Sequence, residues 1–291
     1  LDLAHELAAA LDADLVIAND PDTDRLSVSA PDLAGGWRQL TGNQVGSLLG
    51  DFVLRHTSEP RPIVLSSIVS SPHLAQIAAL HGARHESTLT GFKWIWNAAL
   101  ALEGAGIGRY VFGYEEALGY SIGRVVRDKD GISAAVAFAT IAAAAASAGQ
   151  TVWDLLAALA VRDGLWVSAQ KSIVRTGSEG TAEIGRAIDA IAAGPPVALD
   201  GHPVVAGRDF RVDAHDRPPW LGATPLIELD LGEAGRALIR PSGTEPKLKI
   251  YVDASGPFAA GDDWFGAEAA LRAAAGRIAD EVVAHLGLGG G

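Results

Sequence analysis

The sequence predicts an α/β protein built from the end of one α/β domain, one complete three-layer α/β/α domain and a smaller C-terminal α+β domain. Three observations predict it. Short apolar runs alternate with helical patterns through the first part of the chain, the arrangement of a mainly parallel sheet covered on both faces. A Pro- and Gly-containing break interrupts that alternation at 31–36, and from about Trp166 the strands shorten and polar turns multiply. With 291 residues, 48% of them hydrophobic, the chain can bury a core yet exceeds the commonest single-domain size.

Leu3, Leu7 and Leu11 recur every four residues and mark one face of an opening helix. Leu15-Val16-Ile17-Ala18 is a continuous apolar run, the pattern of a strand buried on both faces. The acidic segment 19–25 therefore lies at the carboxyl end of a strand, where open α/β sheets place their ligands. Residues 26–29 alternate as a strand leaving it, and a domain boundary is expected in the turn that follows. Next come a helix at 43–55, a strand at 63–68, a helix at 72–80 and a loop at 81–90. A helix containing Trp94, Trp96 and Leu100, a strand at 110–113, a glutamate-bearing loop at 113–130 and helices at 132–147 and 152–159 complete the second domain. The last domain holds a strand at 173–174, a helix at 182–192, a loop rich in Gly, Pro and Asp, and strands at 226–229 and 248–252. A final helix at 264–285 places Ile278, Val282 and Leu286 on one face.

A formal net charge of -12 without a dense Lys/Arg run argues against a nucleic-acid partner. The absence of cysteine removes disulfides, thiolate catalysis and Cys-ligated zinc, and suits a reducing compartment, so a cytoplasmic setting is expected. The most apolar stretch, 132–149, is mostly alanine, which contributes little transfer energy; it predicts a buried helix rather than a membrane span. No signal peptide is evident at the start, where an amphipathic pattern begins at once. The chain contains no methionine at all, and a truncated fragment is the expectation.

Asp20-Pro21-Asp22-Thr23-Asp24-Arg25 offers three carboxylates at alternating positions, which can converge on a hard cation such as magnesium. Three ionised side chains this close repel without a cation, and Arg25 supplies one positive charge. An EF-hand is excluded, because its sixth and twelfth positions would be Arg25 and Pro31 instead of Gly and Glu. The alternative is a solvent-exposed turn in which Asp and Asn cap backbone amides. Glu115 and Glu116 follow directly on a predicted strand and can accept hydrogen bonds from sugar hydroxyls, or Glu116 can pair with a base such as Arg124. Lys93 opens a helix, where the dipole offers a cation nothing; its position suggests an anionic partner or a surface carboxylate. Arg240-Pro241-Ser242-Gly243-Thr244-Glu245-Pro246 provides a forked guanidinium, two hydroxyls and a glycine that turns backbone amides toward an anion, against a plain hairpin as the alternative. Lys247 and Lys249 share one strand face, which a solvated sheet surface also explains. The histidines form no zinc motif.

Taken together, these loops resemble the α-D-phosphohexomutase superfamily, whose members have four domains and a phosphorylated serine on the first. The resemblance covers nearly the whole chain in the right order. It implies that 1–36 is the end of mutase domain II with the metal loop, 37–164 the sugar-binding domain III and 165–291 the phosphate-binding domain IV. Asp20, Asp22 and Asp24 match the magnesium loop, Arg25 the arginine that approaches the phosphoserine, and Lys93 the loop that orients substrate. Glu115 and the run to Gly119 match the sugar loop, while Arg240, Ser242, Gly243 and Thr244 match the phosphate loop, with Glu116 and Lys249 as further substrate-binding candidates. The usual sugar loop reads Gly-Glu-x-Ser, whereas this chain has Ala117 in the serine position. The implied reaction is magnesium-dependent interconversion of hexose 1-phosphate and 6-phosphate, glucose first and mannose second, through phosphoserine and a hexose 1,6-bisphosphate. Pentose phosphates, bisphosphate formation and a non-catalytic sugar-phosphate module are the alternatives. No Thr-Ala-Ser-His-Asn-Pro-type serine loop occurs in this sequence, so the donor is expected on N-terminal domains outside it and the chain alone is expected to be inactive.

Overall fold

The structure is a computed structural model that describes residues 1–32, 35–242 and 246–288. The chain divides into two compact units, Leu1–Ala158 and Leu159–Gly291.

The first unit opens with α1 (Asp2–Ala10), followed by β1 (Val16–Ala18), β2 (Ser27–Pro31) and β3 (Trp37–Gln39), which form a three-stranded antiparallel sheet in that order. One expectation is corrected here. Among the described residues the run 15–18 pairs antiparallel with β2 alone, with Ile17 exposed, rather than forming a strand buried on both faces. The α1 leucines do share one face, but Leu3, Leu7 and Leu11 are 81%, 60% and 69% exposed. The chain also returns to the same sheet after the Gly35-Gly36 turn, since Arg38 in β3 pairs with Ala30.

Next come α2 (Gly42–His56), β4 (Pro62–Ser67), α3 (His73–Leu80), β5 (Arg84–Thr88), α4 (Phe92–Gly104), β6 (Arg109–Glu115), β7 (Gly119–Ile122), α5 (Gly131–Ser147) and α6 (Val152–Asp163). The sheet order is β5-β4-β6-β7, parallel except for the β6–β7 pair. Thr41 caps α2 through a reciprocal capping box with Gln44. Phe112 and Tyr114 of β6 pack against α2, while the register shift between Ile63 and Val64 turns Tyr110 toward Trp96 of α4. Helices thus cover both faces of the sheet, which buries β4 along its whole length. β5 and β7 lie inside segments expected to be loops; their short polar or glycine-bearing runs carry little strand signal, and pairing with β4 and β6 makes them strands. α5 is buried on one face only: Phe138 and Ile141 pack inward, whereas Ile132 and Val136 are exposed. Among the described residues no single helix is long and apolar enough to cross a membrane.

The second unit contains β8 (Leu165–Val174), α7 (Gly177–Ala193), β9 (Ala198–Leu199), β10 (His202–Pro203), β11 (Ala206–Asp209), β12 (Ile227–Asp230), β13 (Gly235–Pro241), β14 (Lys247–Gly256) and α8 (Trp264–His285). Five strands form an antiparallel sheet in the order β11-β12-β13-β14-β8. Ile227, Leu229, Ile239, Leu248 and Ile250 point from it into a core shared with Ile184 and Ile188 of α7 and Ile278 and Val282 of α8. Strand alternation sends Arg236, Arg240, Lys249 and Asp253 to the opposite face. There Arg236 Nε donates to Asp253 at 2.9 Å and Nη1 to Glu228 at 3.2 Å, and Ser168 donates to Asp253 at 2.6 Å. Burial opposes the Arg236 charge, but these two carboxylates outweigh it and push the guanidinium up.

Candidate functional site

Parallel pairing of β5, β4 and β6 brings the loops after them to one edge of the sheet, and the acidic loop docks on the last of these. A carboxylate oxygen from each of Asp20, Asp22 and Asp24 lies within 4.8 Å of the other two. The loop is held in that curve by its own backbone: Arg25 N–H donates to Asp20 at 3.1 Å, Asn19 Nδ2 donates to the Arg25 carbonyl at 2.6 Å, and Thr23 takes a left-handed φ of 59°. The donor set is all oxygen, half-buried at Asp20 and Asp24 and open at Asp22, which fits a hard divalent cation that keeps some water.

Charge balances only in part. Arg25 Nε stands 3.6 Å from Asp20 and 3.7 Å from Asp24, and Lys129 Nζ reaches Asp24 at 2.6 Å. Burial disfavours the Lys129 charge, yet the hydrogen bond and charge of Asp24, with Asp128 beside it, push the ammonium up. The N-terminus of α5 closes the same loop from below. Gly131 is required there, because a Cβ would stand 2.3 Å from the Arg25 carbonyl and 2.6 Å from that of Thr23. Lys129 and Gly131 are not among the residues that the sequence singles out, since they fall at the end of the 113–130 loop and just before the apolar stretch. The signal was the sequence Asp128-Lys129-Asp130-Gly131 at a helix start, with Asp130 as N-cap.

The turn between β6 and β7 carries the glutamates. Glu115 accepts the Gly91 N–H at 2.6 Å, which joins β6 to the loop preceding α4. Glu116 does not pair with Arg124, which bonds Glu103 at 2.9 Å. Its Oε2 instead accepts Ser67 Oγ at 3.1 Å and Ser70 Oγ at 3.3 Å. Burial first, and the Glu115 charge second, push the Glu116 carboxyl up against these hydrogen bonds. The acidic and glutamate loops touch directly: Leu26 N–H donates to the Leu118 carbonyl at 3.0 Å, and Arg25 Nη1 donates to that of Ala117 at 3.4 Å. Lys93 is exposed in the first turn of α4, its Nζ 5.5 Å from the Trp94 ring centroid.

In the second unit Arg240 and Lys249 are direct cross-strand partners on β13 and β14, both half-buried. Ser242 N–H donates to the Lys247 carbonyl at 2.7 Å, at the ends of the two strands. Gly243 and Thr244 lie outside the described residues. Two cations side by side, with Ser242 beyond them, form a basic strand end suited to an anion such as phosphate.

An α/β/α domain with an acidic loop at its ligand edge, joined in sequence to an antiparallel α+β domain, defines the class of fold. Two family models match it: phosphoglucomutase/phosphomannomutase α/β/α domain III over residues 41–162 and the phosphoglucomutase/phosphomannomutase C-terminal domain over 211–271. The chain belongs to this family, within the α-D-phosphohexomutase superfamily. It is 39% identical over 258 residues to a probable phosphomannomutase of Haemophilus influenzae, covering 88% of this chain and 49% of that protein. A probable phosphoribomutase of Schizosaccharomyces pombe is 34% identical over 277 residues, covering 88% and 46%. The crystal structure of parafusin, a phosphoglucomutase from Paramecium, superposes with a TM-score of 0.69 at 19% identity, covering 98% of this chain and 50% of that one. The chain spans about half the length of the curated relatives it matches.

Proposed function

We propose that this chain provides the metal, sugar and phosphate loops of a phosphosugar mutase that interconverts hexose 1-phosphate and 6-phosphate, glucose before mannose. The observation that carries the reading is the docking of the three-carboxylate loop on the Glu115–Gly119 turn through Arg25 and Leu26. One site would then hold a cation and a sugar hydroxyl within reach of each other.

Asp20, Asp22 and Asp24 would hold magnesium, which when bound neutralises charge building on a phosphoryl group in transfer. Arg25 would approach the phosphoryl donor, and Lys93 would help to orient the substrate. Glu115 would accept a hydrogen bond from a sugar hydroxyl, while Arg240, Ser242, Gly243, Thr244 and Lys249 would grip the phosphate that is not reacting. Such a grip serves both substrate orientations in a reversible transfer by way of hexose 1,6-bisphosphate. The donor serine would lie on N-terminal domains outside this sequence. Pentose phosphate is the second reading, supported by the phosphoribomutase relative and by Ala117, whose methyl group cannot contact a sugar as a serine hydroxyl does.

The test is a coupled assay of glucose 6-phosphate formation from glucose 1-phosphate, with magnesium and glucose 1,6-bisphosphate. The chain alone is expected to show no turnover, because positioning groups accelerate transfer only when a donor is held against them. Fusion to the N-terminal half of the Haemophilus relative is expected to restore it, and Asp22→Ala to abolish it again. Magnesium-dependent turnover by the chain alone would overturn the assignment of roles; ribose 1-phosphate consumed faster than glucose 1-phosphate by the fusion would select the second reading.

A further inference from the structure

Glu116 is fixed at three points that have nothing to do with a ligand. Its carboxyl Oε2 accepts the Ser67 and Ser70 hydroxyls, which are themselves 2.8 Å apart and buried at the carboxyl end of β4. Its backbone N–H donates to Ser70 Oγ at 3.1 Å. Its carbonyl oxygen rests against the start of α2, so closely that a Cβ on Gly42 would stand 1.9 Å from it.

The residues that follow are those that touch the acidic loop. Ala117 and Leu118 present their carbonyls to Arg25 and Leu26, and Leu118 takes a left-handed φ of 67° to do so. A leucine gains nothing from that conformation, so its surroundings must impose it. The anchor immediately before it is Glu116. Glu115 meanwhile turns the other way, to the Gly91 N–H, so the two acids pin the end of β6 to the loops on either side.

We propose that Glu116 is a positioning residue: by accepting the Ser67 and Ser70 hydroxyls it sets the path of the 117–118 turn, and through that turn it sets the acidic loop at Arg25 and Leu26. It acts as a hydrogen-bond acceptor and not as a charge presented to substrate. The metal arm of the test below rests on the proposed magnesium site; the amide arm does not.

The experiment uses the whole chain. Hydrogen exchange at the Leu26 amide reports the contact with Leu118 directly, and calorimetric titration with magnesium chloride reports the acidic loop. Glu116→Ala is expected to speed exchange at Leu26 by about tenfold, the loss of one or two net hydrogen bonds, with amides in α4 and α8 unchanged. Magnesium affinity is expected to weaken in the same variant. Glu116→Gln keeps an acceptor oxygen and is expected to restore both values to within about threefold of wild type. The Ser67→Ala, Ser70→Ala double variant removes both donors to the carboxyl and, with Ser70 Oγ, the acceptor of the Glu116 N–H, so it is expected to speed Leu26 exchange at least as much as Glu116→Ala; it decides the matter if Glu116→Ala fails to fold. Unchanged Leu26 exchange in the folded alanine or double-serine variant overturns the proposal. So does a glutamine variant as impaired as the alanine one, since that would make charge the operative property. Absence of magnesium binding by wild type would refute the metal site alone and leave the amide arm to judge Glu116.

Discussion

Arg240 and Lys249 sit directly opposite each other on neighbouring strands, so both side chains leave the same face of the sheet. Removing the forked donor by Arg240→Ala is expected to weaken binding of a sugar phosphate by roughly 1.5 to 3 kcal/mol, the range for a hydrogen bond to a charged group. Calorimetry on the fusion protein checks it, and equal affinity in both proteins would count against the grip. Glu116 supplies a pH prediction. Its carboxyl is raised by burial and by Glu115, so the folded state holds the proton more tightly than the unfolded one. Stability contributed by that proton is present below the ordinary glutamate value and is lost as pH rises through the raised one. Thermal melts from mildly acidic to neutral pH should therefore show a decline that Glu116→Gln flattens; an identical decline in the variant would assign it to other groups.

At the level of elements, the acidic loop depends on a helix more than a hundred residues later in the chain. The first turn of α5 lies against the Arg25 and Thr23 carbonyls with Gly131 at the contact, and Asp130 caps that turn by accepting the Ile132 and Ser133 amides. Gly131→Ala places a methyl group where backbone already stands, so the loop or the helix must shift. Overpacking of this kind costs about 1 to 3 kcal/mol, although alanine is the better helix former. The variant is expected to melt lower and to bind magnesium more weakly. A variant with raised stability and unchanged affinity would show that the contact yields freely.

Among the described residues one core lies around β4, β6 and their flanking helices and another among β12, β13, β14, α7 and α8. Two units with separate cores need not unfold together. Scanning calorimetry is expected to give a measured enthalpy above the van't Hoff value, and magnesium is expected to move only the transition of the first unit, because a ligand stabilises the part that binds it. A single two-state transition shifted as a whole would show one cooperative body.

Much of this was legible in the residues themselves. The α/β class, the α2–β4–α3 succession and the long C-terminal helix follow from local periodicity, which side-chain burial enforces whatever the neighbours are. Asp20, Asp22 and Asp24 marked a candidate cation site by charge alone, since repulsion at that spacing needs no fold to be recognised. Other features were decided only by tertiary structure. β5 and β7 exist because β4 and β6 offer them partners, and the antiparallel pairing of the run 15–18 with β2 is likewise a property of the sheet. Lys129 met Asp24, Glu116 met Ser67 and Ser70, and Gly131 met the acidic loop across 46 to 108 positions of sequence. Contacts at that separation leave no local pattern, because each depends on where two remote segments cross.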